Sequence, residues 1–445
     1  MPVSDDLSGM PTSLPETAIG QWNRVILGIL AHAASTGPDL NDVLTAAPDF
    51  ALGQAVRGLS CLLLGRAEMV VVAHQAYAAA VAGAPATMRE IAFVHALGDW
   101  LAGRPTQAAA RLQVILNLNP RDALAMKMVQ AIHFVMGRPR HMRASVEGVI
   151  PAWDDHPARG YLLGCHAFTL EETGDYAAAE RTGRAGVELA PDDAWGLHAV
   201  AHVYDMTGNA RAGLDWLTGR EGSWAHCNNF RFHVWWHRAL MHLDLGEYDA
   251  ALAHYDTDIR AEKTDDYRDI ANAASLLSRL ELEGVSVGDR WEELATLAER
   301  RATDGCLAFA DLHYMIALCG GARNEAAVAL IARMQSTQRS HGEAQAVIAH
   351  PGLHIAQGLH AFSSGEYSSA WIHLRAGRAD LQSIGGSHAQ RDVFDRIAIE
   401  AALRGGYMDA AETLIHDRMA HRAGKADGYA TARLALIESA RAKVV

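Results

Sequence analysis

The stretch Gly246-Glu-Tyr-Asp-Ala-Ala-Leu-Ala-His-Tyr-Asp256 decides the fold. A glycine, a polar residue, an aromatic and then closely spaced alanines read as a turn opening into a helix. Glycine takes the left-handed conformation that ends the preceding helix, and small alanines let the next one pack closely. The same pattern returns as Gly174-Asp-Tyr-Ala-Ala-Ala, Gly365-Glu-Tyr-Ser-Ser-Ala and Gly405-Gly-Tyr-Met-Asp-Ala-Ala. Without the aromatic it appears as Gly103-Arg-Pro-Thr-Gln-Ala-Ala and Gly208-Asn-Ala-Arg-Ala, with weaker versions at Gly137 and Gly321. From Gly103 to Gly246, counting Gly137, successive glycines stand 34, 37, 34 and 38 residues apart. That is the period of a helix-turn-helix repeat. Pro120 and Pro191, each 17 residues after its glycine, separate one hairpin from the next.

Between these marks the apolar spacing is helical. Trp195, Leu197, Val200, Ala201 and Tyr204 mix steps of three and four, and strand alternation is absent over any comparable length. The expectation is an all-α, right-handed α-solenoid of roughly nine helical hairpins. Residues 1–20 are expected as an irregular N-terminal arm and residues 21–445 as a single superhelical domain.

Composition narrows the function. The 445 residues carry 39 Lys and Arg against 52 Asp and Glu, a formal charge of −13, with no basic run to track phosphates. A nucleic-acid partner is therefore not expected. Hydrophobic residues make up 50%, enough for a packed core. Windows such as Val25 to Ala34 and Leu59 to Leu64 are too short to span a bilayer, so no membrane partner is expected. The stretch Met1 to Glu16 has no basic residue and no apolar run, unlike a secretory signal. Five scattered cysteines without a Cys-x-x-Cys point to reduced thiols and a cytoplasmic setting. Four of them, Cys61, Cys165, Cys306 and Cys319, read as small buried hydrophobes.

Several stretches are more specific than the repeat pattern: Ala167-Phe-Thr-Leu-Glu-Glu-Thr-Gly-Asp-Tyr, His198-Ala-Val-Ala-His-Val-Tyr-Asp-Met-Thr-Gly, Phe232-His-Val-Trp-Trp-His-Arg-Ala-Leu and Gly386-Ser-His-Ala-Gln-Arg-Asp-Val-Phe. Together with the Gly246 stretch they resemble the tetratricopeptide repeat protein 38 family. The likeness spans nearly the whole chain and is strongest over residues 160–300 and 388–418. The resemblance implies a divergent tetratricopeptide-type helical repeat and no securely known reaction.

Histidine is over-represented: the 23 histidines outnumber the 9 Phe and 11 Tyr together. His198 and His202 are four apart, as are His233 and His237, so each pair shares one helical face. A third pair, His350 and His354, is interrupted by Pro351. In repeats of this kind the first helix lines the concave groove. Counting back from Gly208 places Trp195, His198, His202 and Asp205 there; from Gly246, His233, Trp236, Leu240 and Leu243, with His237 beside Trp236; and from Gly174, Tyr161, Gly164, Phe168 and Glu171. An aromatic, imidazole and carboxylate lining suits a small polar ligand.

Two chemistries compete for these side chains. In one, His198, His202, His233 and His237 hold a zinc-like divalent metal. In the other, His198 or His237, poised by Asp205 or Glu171, acts as a general base, with Cys227 as nucleophile for a hydrolase or lyase. Asn228 and Asn229 in a loop, and His388, Gln390, Arg391 and Asp392 at a helix start, complete the expected ligand contacts, with Trp195, Phe168, Tyr161 and Trp236 as walls. The alternative is a non-catalytic scaffold that receives a peptide or protein in the groove. The apolar stretch Ala430 to Ala442 points to homo-oligomer formation.

Overall fold

The computed structural model describes residues 4–337 and 341–442. Among them the chain is all-α apart from two short antiparallel strands, Ser4–Asp5 and Pro11–Thr12. Helices come in antiparallel pairs, such as Arg159–Glu172 with Tyr176–Leu189, Tyr267–Leu282 with Arg290–Arg301, and His388–Arg404 with Met408–His421. This is a tetratricopeptide-like helical repeat. The pairs extend further toward the N-terminus than the glycines read from the sequence: Glu16–Ala31 with Thr36–Ala46, and Ala51–Leu63 with Ala67–Ala82, the latter joined at Gly65 (φ 61°). None of the described helices is long and apolar enough to cross a membrane.

The turns obey the rule read from the sequence. Gly103, Gly137, Gly174, Gly208, Gly246 and Gly365 all have positive φ, between 62° and 87°. At two turns the strained position moves by one residue: Ala322 (φ 54°) takes it instead of Gly321, and Gly406 (φ 83°) instead of Gly405. Helix starts are fixed by side chains where the turn is longer. Thr87 with Glu90, and Ser387 with Gln390, form reciprocal capping boxes that satisfy free N–H groups.

The residues fall into two compact units. Unit 1 comprises the residues up to Val200 with Glu221–Arg231 and His341–Ala344; of the described residues, unit 2 comprises Ala201–Arg220, 232–337 and 345–442. The Ala194–Met206 and Phe230–Asp244 helices each contribute residues to both. Unit 1 buries Trp22, Leu30, Phe50, Phe93 and Trp153. Its N-terminal arm is tied down: the buried Arg89 guanidinium donates to Asp6 (2.6 Å) and, through two nitrogens, to Asp122 (2.7 and 2.8 Å). The first helix begins at Glu16, within the stretch expected to be irregular. Unit 2 buries Trp236, Leu276, Tyr314 and Phe394.

Candidate functional site

In unit 2 three imidazoles converge. His202 comes from the Ala194–Met206 helix, and His233 and His237 from Phe230–Asp244. The His237 ring lies 4.2 Å from that of His202 and 4.7 Å from that of His233, centroid to centroid. The Nε2 atoms of His233 and His237 are 3.2 Å apart, and the three residues offer ring nitrogens within 4.8 Å of one another. On its far side His233 donates from Nδ1 to Oδ1 of Asn272 at 2.9 Å, from the Tyr267–Leu282 helix. Trp236 stacks on His233 at 5.2 Å. Burial pushes the His233 imidazole down to about 4, against the raising effect of Asn272. It also pushes His202 well below its ordinary value, helped by the charges of His233, His388 and Arg391. Both rings are neutral at physiological pH, with lone pairs to offer.

The remaining expected residues divide between the units. His198 stands one turn before His202 on the same helix, buried, and donates from Nδ1 to the carbonyl of Trp195 at 2.6 Å. It belongs to unit 1, where Trp195 packs against Phe168 (4.7 Å), Phe230 (5.4 Å) and His32 (5.4 Å). Lys127 Nζ lies 5.1 Å over the Trp195 ring. The predicted aromatic wall of Trp195 and Phe168 is therefore a packed cluster. Tyr161 instead turns its hydroxyl to Asp192 at 2.8 Å. Glu171 is buried in unit 1, Asn229 is half-buried, and Asn228 accepts the Phe230 N–H at 3.0 Å, closing its own loop.

Two catalytic expectations are corrected. Asp205 does not poise an imidazole: its carboxylate accepts from Arg422 at 2.9 Å. Cys227 is not an activated nucleophile. Burial pushes its thiol up to about 12, and Sγ faces the carbonyl of Ala31 at 3.4 Å. The neighbouring His226 lies within 3.7 Å of that sulfur, yet its Nε2 donates to the same carbonyl at 3.2 Å. Raised this far, the thiol stays protonated at physiological pH. The interrupted pair behaves as expected of Pro351: His350 is extended (φ −153°, ψ 125°) and donates to Asp380 at 2.9 Å.

At the start of the His388–Arg404 helix, His388, Arg391 and Asp392 line one cavity of about 270 Å³ in unit 2, whereas Gln390 serves the helix cap. The cavity also meets Arg378, Arg418, Arg422, His421 and Met206. Behind it lies a dense ion-pair network. Burial pushes the Asp392 carboxyl up, but Arg418, Arg396 and Arg279 outweigh that and hold it well below the usual carboxylate range. Arg422 bridges Asp205 and Asp244 (3.2 Å), and Arg418 reaches Asp427 at 2.6 Å. Sequence reasoning missed Asn272, Arg279, Arg418 and Arg422. The signal for the last two was Arg418-x-x-x-Arg422, two arginines four residues apart.

No protein-family model matches the chain. Among solved structures, yeast Tom70 aligns at 12% identity with a TM-score of 0.38, covering 95% of this chain and 88% of that one. The P58(IPK) TPR domain aligns at 13% identity with a TM-score of 0.21, covering 87% and 89% respectively. The tetratricopeptide-like assignment rests on the helical hairpins and their glycine turns.

Proposed function

We propose that this helical-repeat protein belongs to the tetratricopeptide repeat protein 38 family and holds a zinc-like divalent cation on His202, His233 and His237. The ligand presented to this centre is a small polar molecule. The observation that carries the reading is the state of His233. An amide oxygen only accepts, so Asn272 holds the proton on Nδ1 and leaves Nε2 with its lone pair toward His237, 3.2 Å away. Nitrogen atoms bound to one tetrahedral zinc at ~2.0–2.1 Å stand about 3.3 Å apart. The Asn272 bond is the outer-shell contact that orients a metal-bound imidazole. Burial favours the neutral rings that a metal requires. A cation here would polarise an oxygen of its ligand.

The test is elemental analysis of full-length protein purified without an affinity histidine tag and dialysed after exposure to excess zinc. Stoichiometric zinc that is lost from the His233→Ala/His237→Ala variant supports the reading. Wild-type protein that retains no zinc, and whose melting temperature zinc does not change, overturns it and leaves the peptide-binding scaffold.

A further inference from the structure

We infer that the cavity at the start of the His388–Arg404 helix binds a small phosphate monoester. This stands apart from the metal reading and would survive its failure. The cavity of about 270 Å³ is bordered by the guanidiniums of Arg378, Arg391, Arg418 and Arg422 and the imidazoles of His388 and His421. Three of the four arginines, Arg391, Arg418 and Arg422, are at least nine-tenths buried. Burying a guanidinium is costly unless something holds it, and here carboxylates do so. Asp205 and Asp244 hold Arg422, Asp392 and Asp427 hold Arg418, and Asp395 and Asp417 hold Arg378. The carbonyls of Gly385 and Gly386 aim Arg391. Each fork is thereby fixed in direction before any ligand arrives, which lowers the entropic cost of binding.

Two carboxylates also line the cavity, and both are taken up by arginines: Asp392 by Arg418 and Arg396, and Asp395 by Arg378. Arg418 keeps one buried nitrogen, Nη1, with no hydrogen-bond acceptor. The 17-residue His388–Arg404 helix directs its N-terminus, the positive end of its dipole, to this same wall. Planar forks of this kind suit phosphate and carboxylate oxygens. A phosphate monoester brings three terminal oxygens and a double charge to the four guanidiniums that border the cavity, where a carboxylate brings two oxygens and a single charge. The cavity volume fits a small phosphorylated molecule.

Isothermal titration of full-length protein with inorganic phosphate and with glycerol phosphate, beside acetate, tests the inference. All titrations use chelator-treated protein, so that failure of the metal reading stays separate. Saturable binding of both phosphates, with acetate much weaker, is the expected result. Arg391→Gln is expected to weaken binding roughly ten- to a hundredfold, and Arg391→Lys less, since charge returns without the fork. Arg391 also holds backbone carbonyls, so His388→Ala/His421→Ala, checked for native circular dichroism, is the second variant and is expected to weaken phosphate binding as well. No saturable heat with phosphate, acetate binding as tightly as phosphate, or unchanged affinity in both the Arg391→Gln and the folded His388→Ala/His421→Ala proteins would overturn it.

Discussion

His233 donates to Asn272 across consecutive hairpins of one unit, Nδ1 to Oδ1 at 2.9 Å, and this bond sets the tautomer of the ring that faces His237. Asn272→Leu removes the acceptor while keeping a similar volume in a fully buried position. The freed imidazole can then place its proton on either nitrogen. Loss of such an outer-shell contact lowers metal affinity by about 10- to 100-fold. Competition against a fluorescent zinc chelator measures it, and equal zinc affinity in wild type and Asn272→Leu would show that this bond orients nothing.

Arg422 is the keystone of the ion-pair network, placed between Asp205 and Asp244. Arg422→Met takes from Asp205 the cation it bonds and leaves Asp244 with Arg396 alone, 3.5 Å away. Breaking a buried pair from one side costs about 3–5 kcal/mol. The penalty depends on pH in a definite direction. Burial already pushes Asp244 up to about 6, and Arg422 opposes that. A carboxyl whose folded value is raised contributes stability below its unfolded value near 3.8, and loses it as pH rises through the folded value. Without Arg422 that value climbs further, so urea unfolding should show a larger deficit at pH 8 than at pH 5. A deficit below about 1 kcal/mol at both pH values would rank this pair with exposed ones.

The turns were legible because φ > 0 is a backbone demand that glycine alone meets without strain. Gly103, Gly174, Gly208 and Gly246 announced both the helix ends and the repeat length. The turn at Gly321 was fainter for a physical reason: the left-handed residue there is Ala322, which leaves no glycine signature at the strained position. The histidine faces were legible too, since His233 and His237 follow from helical periodicity. Partners from other hairpins were not. Asp205 is buried, yet its partner Arg422 lies 217 residues away, and nothing local in either segment encodes that pairing. Asn272, within an ordinary amphipathic helix, carries no pattern that separates it from a packing residue. The Arg and His cavity at His388 was half-visible. Its first helix stood out by its polar density, but the Arg418 and Arg422 wall came from the following helix and the turn beyond it.

Acid should weaken the fold through its buried imidazoles. His313 is buried, donates to the Phe309 carbonyl at 2.7 Å, and is held by burial at about 4. Its folded value lies below the unfolded one near 6.5, so its contribution is whole above pH 6.5 and is lost as pH falls toward 4. In that window the unfolded ring takes up a proton that the folded ring refuses, a slope of up to about 1.4 kcal/mol per pH unit for each such group. Asp244 and Asp311, both raised to about 6, slope the opposite way over part of the range, so the wild-type curve alone is ambiguous. The difference curve isolates the ring. His313→Gln keeps a donor for Phe309 and cannot titrate, so urea unfolding between pH 7 and pH 5 should lose less stability in the variant. Parallel curves would contradict the assignment.

Close approach of helices in unit 1 depends on Gly164 and Gly196, which meet where the Arg159–Glu172 and Ala194–Met206 helices cross. A Cβ on Gly164 would stand 1.9 Å from Oδ2 of Asp193 and 2.9 Å from Cα of Gly196. The first contact displaces a buried carboxylate from the Gly196 N–H it accepts at 3.1 Å, and the second is helix backbone that has no other place to go. Alanine gains about 1 kcal/mol of helix propensity over glycine. Overpacking costs about 1–3 kcal/mol, and a lost cap about another 1. Gly164→Ala is therefore expected to destabilise by about 1–3 kcal/mol, because the two costs together outweigh the propensity. Gly148, in the Pro139–Val149 helix, is exposed and has nothing within 4 Å of where a Cβ would stand, so the propensity acts there without opposition. Gly148→Ala should gain about 0.4–1 kcal/mol. Two variants of the same chemistry thus carry opposite signs in chemical denaturation, and matching signs would mean that the close contact at Gly164 is relieved at no cost.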